Sequence, residues 1–172
     1  AYTPPTGTLG AVAFAYQVCL PPPDTAACSS ATATINVNAG TLLASDDDFS
    51  ATAFAPASGG TTGTVFTNDS YNGALPTAAD VLTSLVAAPA GYTIDADGLI
   101  GVPAGASAGA VPVTYRLCEA SAPSNCDAAI ARLVVQPDAV DDAFSTPAGQ
   151  PVAGNVGFND NAPVGASYTL TG

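Results

Sequence analysis

Between positions 11 and 18 the chain reads AVAFAYQV. Val12, Phe14, Tyr16 and Val18 alternate with Ala11, Ala13, Ala15 and Gln17. A period of two is the signature of a strand with one apolar face. The same period returns over 31–37, where Ala31, Ala33, Ile35 and Val37 alternate with Thr32, Thr34 and Asn36. A loop rich in Pro, Asp and Ala separates the two runs, so they are expected to form a hairpin. Further strand candidates lie at 49–55, 62–67, 82–87, 91–95 and 98–102, the last after the turn Asp95-Ala96-Asp97-Gly98. The one helix candidate is Thr77–Leu85, where TAADVLTSL offers an N-cap Thr and some helix formers.

The pattern is written more than once. Val12, Phe14, Tyr16 and Val18 recur 99 positions later as Val111, Val113, Tyr115 and Leu117. SSATATINV after Cys28 aligns with DAAIARLVV after Cys126 at an offset of 98. ASDDDFS (44–50) returns as AVDDAFS (139–145), 95 positions on, and TVFTND (64–69) as NVGFND (155–160), 91 positions on. Blocks kept in order while the offset shrinks are tandem repeats with small loop deletions. Residues 1–38 read as the closing part of one repeat, 39–138 as a complete one and 139–172 as the opening of the next. The phase suggests a window on a longer array or a unit of a polymer. About seven short strands in each repeat of about 95–99 residues predict an all-β, immunoglobulin-like β-sandwich.

Four cysteines bracket the two hairpin loops, residues 20–27 in one copy and 119–125 in the other. Opposed strand residues lie within disulfide reach. Of the three connectivities, only Cys19–Cys28 with Cys118–Cys126 makes each repeat self-sufficient. The spacing is not that of a redox or zinc motif, and the chain has no His. Paired cysteines suggest an oxidising, extracellular setting.

The net charge of −12 comes from 13 Asp, the single Glu119 and only Arg116 and Arg132 in opposition. It argues against nucleic acid as a partner. No window approaches a membrane span. At 48% hydrophobic the chain is no disordered acidic tail, although much of that share is Ala and the core should be thin. The carboxylates cluster: Asp46, Asp47, Asp48 and Asp141, Asp142 open their repeats. Asn68-Asp69 and Asn159-Asp160 follow about 20 residues later, and Asp95 and Asp97 share a turn. Oxygen donors without His or thiolate suit calcium, for which Asp46, Asp47, Asp48, Asn68, Asp69, Asp95, Asp97, Asp141, Asp142 and Asp160 are the candidate ligands. The competing role is turn capping. No nucleophile elbow, triad or phosphate loop is present, so no enzyme is expected. Absence of Lys also excludes Lys–Asn isopeptide cross-links.

Ala139-Val140-Asp141-Asp142-Ala143-Phe144-Ser145-Thr146, Asn159-Asp160, the Gly98–Gly105 strand pair and Val113-Thr114-Tyr115-Arg116-Leu117-Cys118 carry a resemblance. Together they resemble the cadherin-like and immunoglobulin-like tandem repeats of large bacterial extracellular surface proteins. The resemblance implies a secreted surface fibre, sheath or adhesin stalk, often stiffened by calcium. The cysteine pairs depart from the family's usual pattern. Partners are then neighbouring repeats or copies of the chain itself, with the opening strands of one copy completing, head to tail, the sandwich begun by the hairpin of the next. The alternative is a ligand-binding adhesin module for calcium-dependent attachment, for which Tyr71-Asn72-Gly73 and Tyr92 are the only hints.

Overall fold

The computed structural model describes residues 1–5 and 7–171, and its regular structure is almost wholly β. Two long strands, β1 (Gly10–Cys19) and β2 (Cys28–Val37), form an antiparallel hairpin that is a sheet by itself. The complete repeat follows as β3 (Leu42–Leu43), β4 (Asp47–Asp48), β5 (Gly60–Thr64), β6 (Ser70–Tyr71), β7 (Val81–Ala87), β8 (Thr93–Ile94), β9 (Leu99–Val102), β10 (Gly109–Glu119) and β11 (Ala122–Val135). One sheet has the order β4-β11-β10-β7 and the facing one β5-β9-β8, with β3-β6 as a small ladder beside them. The result is a β-sandwich.

Its core follows from the period of two. Val111, Val113, Tyr115 and Leu117 point inward from β10, and Ala129, Ala131, Leu133 and Val135 do so from β11. They meet Ile100 and Val102 of β9, Val81 of β7, and Val65 and Phe66 from a short 3-10 turn (Val65–Thr67). Phe49 and Phe54 close the side. Both expected disulfides form, Cys19–Cys28 and Cys118–Cys126, each across directly opposed strand residues.

Four expectations need correction. The run 62–67 is strand only to Thr64, and Val65–Thr67 turns into the 3-10 segment. No helix forms over 77–85. Thr77 and Asp80 do make the expected cap, with the Thr77 hydroxyl donating to the Asp80 carboxylate at 2.6 Å. It serves one turn only, because Val81–Ala87 pairs with β10 and buries Val81. Tertiary pairing overrides a weak local preference. Residues 49–55 are not a strand either: Phe49 and Phe54 both reach the core, and a turn between them leaves a single bridge, Phe54 to Val135. The hairpin loop of the complete repeat is also shorter than its cysteine spacing suggests. Pairing resumes beyond the disulfide at Glu119↔Ala122, with a register shift at Cys118/Glu119.

Residues 139–171 contain no strand, apart from an isolated bridge made by Asn161 back to Asp138. That bridge is informative. Asp138 stands 95 positions after Leu43 and Asn161 stands 91 after Ser70, and Leu43↔Ser70 is a pair of the β3-β6 ladder. The opening of the third repeat thus folds in the register of the second.

Candidate functional site

Asp47 and Asp69 of the complete repeat meet around Tyr115, with Asp46 beside them. β4 lies parallel to β11, with Asp47 opposite Ala131 and Asp48 opposite Arg132. Strand alternation therefore sends Asp47 inward and leaves Asp46 and Asp48 outside. Asp69, just after the 3-10 turn, is 2% exposed and Asp47 is 5% exposed. The Tyr115 hydroxyl donates to the Ser45 carbonyl at 3.0 Å and lies 3.3 Å from each Asp69 carboxylate oxygen.

Most of these carboxylates hold backbone. Asp69 Oδ1 accepts from the Ser45 amide at 2.7 Å, and Asn68 Nδ2 donates to the Asp46 carbonyl at 2.8 Å. Asp46 Oδ1 accepts from the Ile130 amide at 2.9 Å, while Asp127 Oδ2 takes the Ala44 amide. Asp46 also faces Arg132 at 3.7 Å in an exposed ion pair of small energetic weight. The segment 44–46 is fastened to β11 and to the 3-10 turn entirely by side chains.

One atom is left over. Asp47 Oδ2 is buried without a partner. Burial, with the Asp69 and Asp46 charges adding to it and the nearby Tyr115 hydroxyl opposing, pushes the Asp47 carboxyl up to about 6. Burial likewise raises Asp69. Tyr115 is raised as well, by burial and then by the neighbouring Asp69 and Asp47 charges, so its hydroxyl stays protonated. The cluster holds more negative charge than its donors satisfy, which favours a bound proton near neutral pH.

The other candidate ligands lie elsewhere. Asp95 Oδ1 accepts from the amides of Asp97 and Leu99, closing the turn into β9. Asp48 caps the Ser50 amide. In the third repeat, Asp160 Oδ1 accepts from the Val140 amide at 2.7 Å, and Asn159 Nδ2 donates to the Asp141 carbonyl at 3.3 Å. These are the Asp69–Ser45 and Asn68–Asp46 bonds repeated at the same offsets. Asp141 and Asp142 are exposed. Among the described residues, no group of three or more His, Cys, Asp or Glu side chains is placed to hold a metal ion. Calcium takes six to eight oxygens. Here Asp69 Oδ1 and Asp46 Oδ1 each accept from an amide, while Asp47 Oδ2 is buried without a partner.

A second polar site was not legible as one. Glu119, 4% exposed, accepts from the Gly40 amide (2.8 Å), Asn125 Nδ2 (2.8 Å), the Tyr71 hydroxyl (3.0 Å) and the Ser121 hydroxyl (2.5 Å). Burial pushes this carboxyl up, but the donors of Ser121, Asn125, Gly40 and Tyr71 outweigh it and hold the group below its usual range. Glu119 thereby ties the junction segment at Gly40 to the β10–β11 turn. Its signal in the sequence is being the only Glu, directly after a cysteine. Tyr71 belongs to this site, in a two-residue turn where Asn72 takes φ 53° beside Gly73. Tyr92 is buried in the core, so neither tyrosine forms part of an exposed aromatic patch.

No helix among the described residues is long and apolar enough to cross a membrane. No family model matches the chain, and comparison with curated proteins finds no match either.

Proposed function

We propose that the chain is a structural repeat module of a secreted bacterial surface fibre, sheath or adhesin stalk. The observation that carries this reading is the recurrence of the same side-chain clamps in successive repeats: Asp69 on Ser45 and Asn68 on Asp46, then Asp160 on Val140 and Asn159 on Asp141. Residues that recur with their hydrogen bonds build each unit in the same way; a binding site needs to be distinctive in one unit only. Two local disulfides support an oxidising, extracellular setting, where glutathione does not reduce them. The acidic surface keeps such an array soluble and repels nucleic acid.

Antibodies raised against the purified chain should decorate unpermeabilised source cells along surface structures or in shed material. Labelling only after permeabilisation would refute the extracellular assignment.

A further inference from the structure

We infer that the β1–β2 hairpin is a docking surface for residues 139–160 of a second copy of this chain, in a register already drawn inside the complete repeat. The inference rests on the repeat reading but not on the extracellular location. Its basis is that the same two pieces occur twice, docked once and undocked once.

In the complete repeat the opening segment 44–69 lies on the β10–β11 hairpin. Asp47 pairs with Ala131, Asp48 pairs with Arg132, and the Phe49 amide donates to the Arg132 carbonyl at 2.9 Å. The Asp46 carboxylate takes the Ile130 amide, and Tyr115 reaches the Ser45 carbonyl and Asp69. The chain carries a counterpart of every partner. Offsets of 98 and 99 turn Ile130, Ala131, Arg132 and Tyr115 into Thr32, Ala33, Thr34 and Tyr16. Offsets of 95 and 91 turn Ser45, Asp46, Asp47, Asp48, Phe49 and Asp69 into Val140, Asp141, Asp142, Ala143, Phe144 and Asp160.

Both halves are open. Phe14, Tyr16 and Val18 are 38%, 52% and 63% exposed, with Tyr2 stacked edge-on against Phe14. Phe144, Val152 and Val156 are about half exposed, and 139–171 contains turns and no strand. The segment is nevertheless preset, because the Asp160–Val140 and Asn159–Asp141 clamps are already closed. Residues 1–10 continue the correspondence: Pro4 matches Pro103, and Gly10 (φ 96°) matches Gly109 (φ 123°). What the two halves do not supply corresponds to β7 and β8, which are edge strands of their sheets, and to Leu99 at the start of β9.

Within one chain the two halves are anchored at opposite ends of β10. The N-terminal unit is held at the Glu119–Ser121 end of β10, where the Gly7 amide donates to the Ser121 carbonyl. The C-terminal segment is held at the other end, where Asn161 bonds the Ala108 amide and the Ala106 carbonyl. The 11 residues of β10 keep these ends roughly 33 Å apart. Docking between unlike surfaces at opposite ends does not close on itself, so it propagates head to tail. Backbone pairing along the β2 edge supplies affinity and the alternating side chains fix register. The Tyr16 hydroxyl then reaches Val140 and Asp160 of the neighbouring copy, as Tyr115 reaches Ser45 and Asp69.

The register gives a direct test on the full chain. Thr34 and Ala143 correspond to the exposed pair Arg132 and Asp48, so both sides of the pair tolerate substitution. Chains carrying Thr34→Cys and chains carrying Ala143→Cys are mixed and mildly oxidised, then mapped by non-reducing mass spectrometry. The expected product is a heterodimer linked 34–143, its yield rising with concentration. Thr34→Cys mixed with Asp142→Cys, whose side chain faces the other way, should give roughly tenfold less, because residue 34 meets only the outward-facing position. Phe144→Asp in the Ala143→Cys chain should reduce the linked product similarly, since it places a charge where Phe49 packs. That variant's complete repeat should melt unchanged. Symmetric 34–34 dimers, equal linking at 142 and 143, or a monomer at every concentration would overturn the inference. Any of these would leave the antibody test of location untouched.

Discussion

The chain contains one hairpin twice, and the two copies have opposite fates. β1–β2 and β10–β11 share an apolar alternation and a disulfide between directly opposed residues. On β10, Val113, Tyr115 and Leu117 are 0% exposed; on β1, their counterparts Phe14, Tyr16 and Val18 lie open. Both hairpins pair along their length, so strand formation is set by local pattern and the disulfide, whereas burial is set by whether a second layer is present. A hairpin is a fold element only when something covers it.

The largest expected contrast is in the core. Leu117→Ala should destabilise the complete repeat by roughly 2–5 kcal/mol, because it leaves a cavity in a packed interior. Val18→Ala, at the matching position of an open face, should stay within about 0.5 kcal/mol. Chemical denaturation of the two variants decides this; equal losses would mean that β1 is already covered in the monomer.

Next come the disulfides. Replacing Cys118 and Cys126 with Ser should cost the complete repeat roughly 2.5–3 kcal/mol, from the loop entropy of a sequence separation of 8. The same change at Cys19 and Cys28 should leave its melting transition in place and loosen only β1–β2. A shared loss would show that the two units unfold together.

The buried acids give a smaller effect with a defined sign. Asp47 titrates at about 6 in the folded chain against an ordinary 3.8, so the native state binds the extra proton between those values. Stability should therefore increase as pH falls from about 7 through 6 toward 4, with Asp47 contributing on the order of 1–3 kcal/mol. Asp47→Asn should raise stability at pH 8 and flatten that slope. A wild-type curve that rises with pH over the same window would contradict a buried, protonated Asp47.

Smallest of all is the expected response to calcium. With the Asp46, Asp48 and Asp69 carboxylates engaged on amides, calcium and sodium at equal ionic strength should give coincident melting curves, both relieving the net charge by screening. A calcium-specific rise would show that the carboxylates also ligate.

What the sequence made legible was whatever depends on neighbours a few residues away. The alternation in AVAFAYQV and AVPVTYRL, and the cysteines that end both runs, led directly to β1, β10 and their disulfides. The two-residue strands β3 and β4 were not legible, because their pairing is decided by β6 and β11, far along the chain. At Thr77–Asp80 the local signal was real but stopped at one turn once β7 joined β10. The recurring Asp residues stood out as a group, yet their work as amide clamps depends on backbone partners such as Ile130, which lies 84 positions from Asp46. Glu119 stayed hidden for the same reason: its donors come from Gly40, Tyr71, Ser121 and Asn125, and only folding gathers them.

Hydrogen exchange of the dilute monomer, followed by mass spectrometry, compares the two hairpins within one molecule. Covered strands exchange through global opening and uncovered ones through local fraying. The account predicts that β10 and β11 amides are protected at least ~100-fold more than their counterparts in β1 and β2 under these conditions. Equal protection of both hairpins in the monomer would contradict it, for it would mean that β1–β2 has a cover within its own chain.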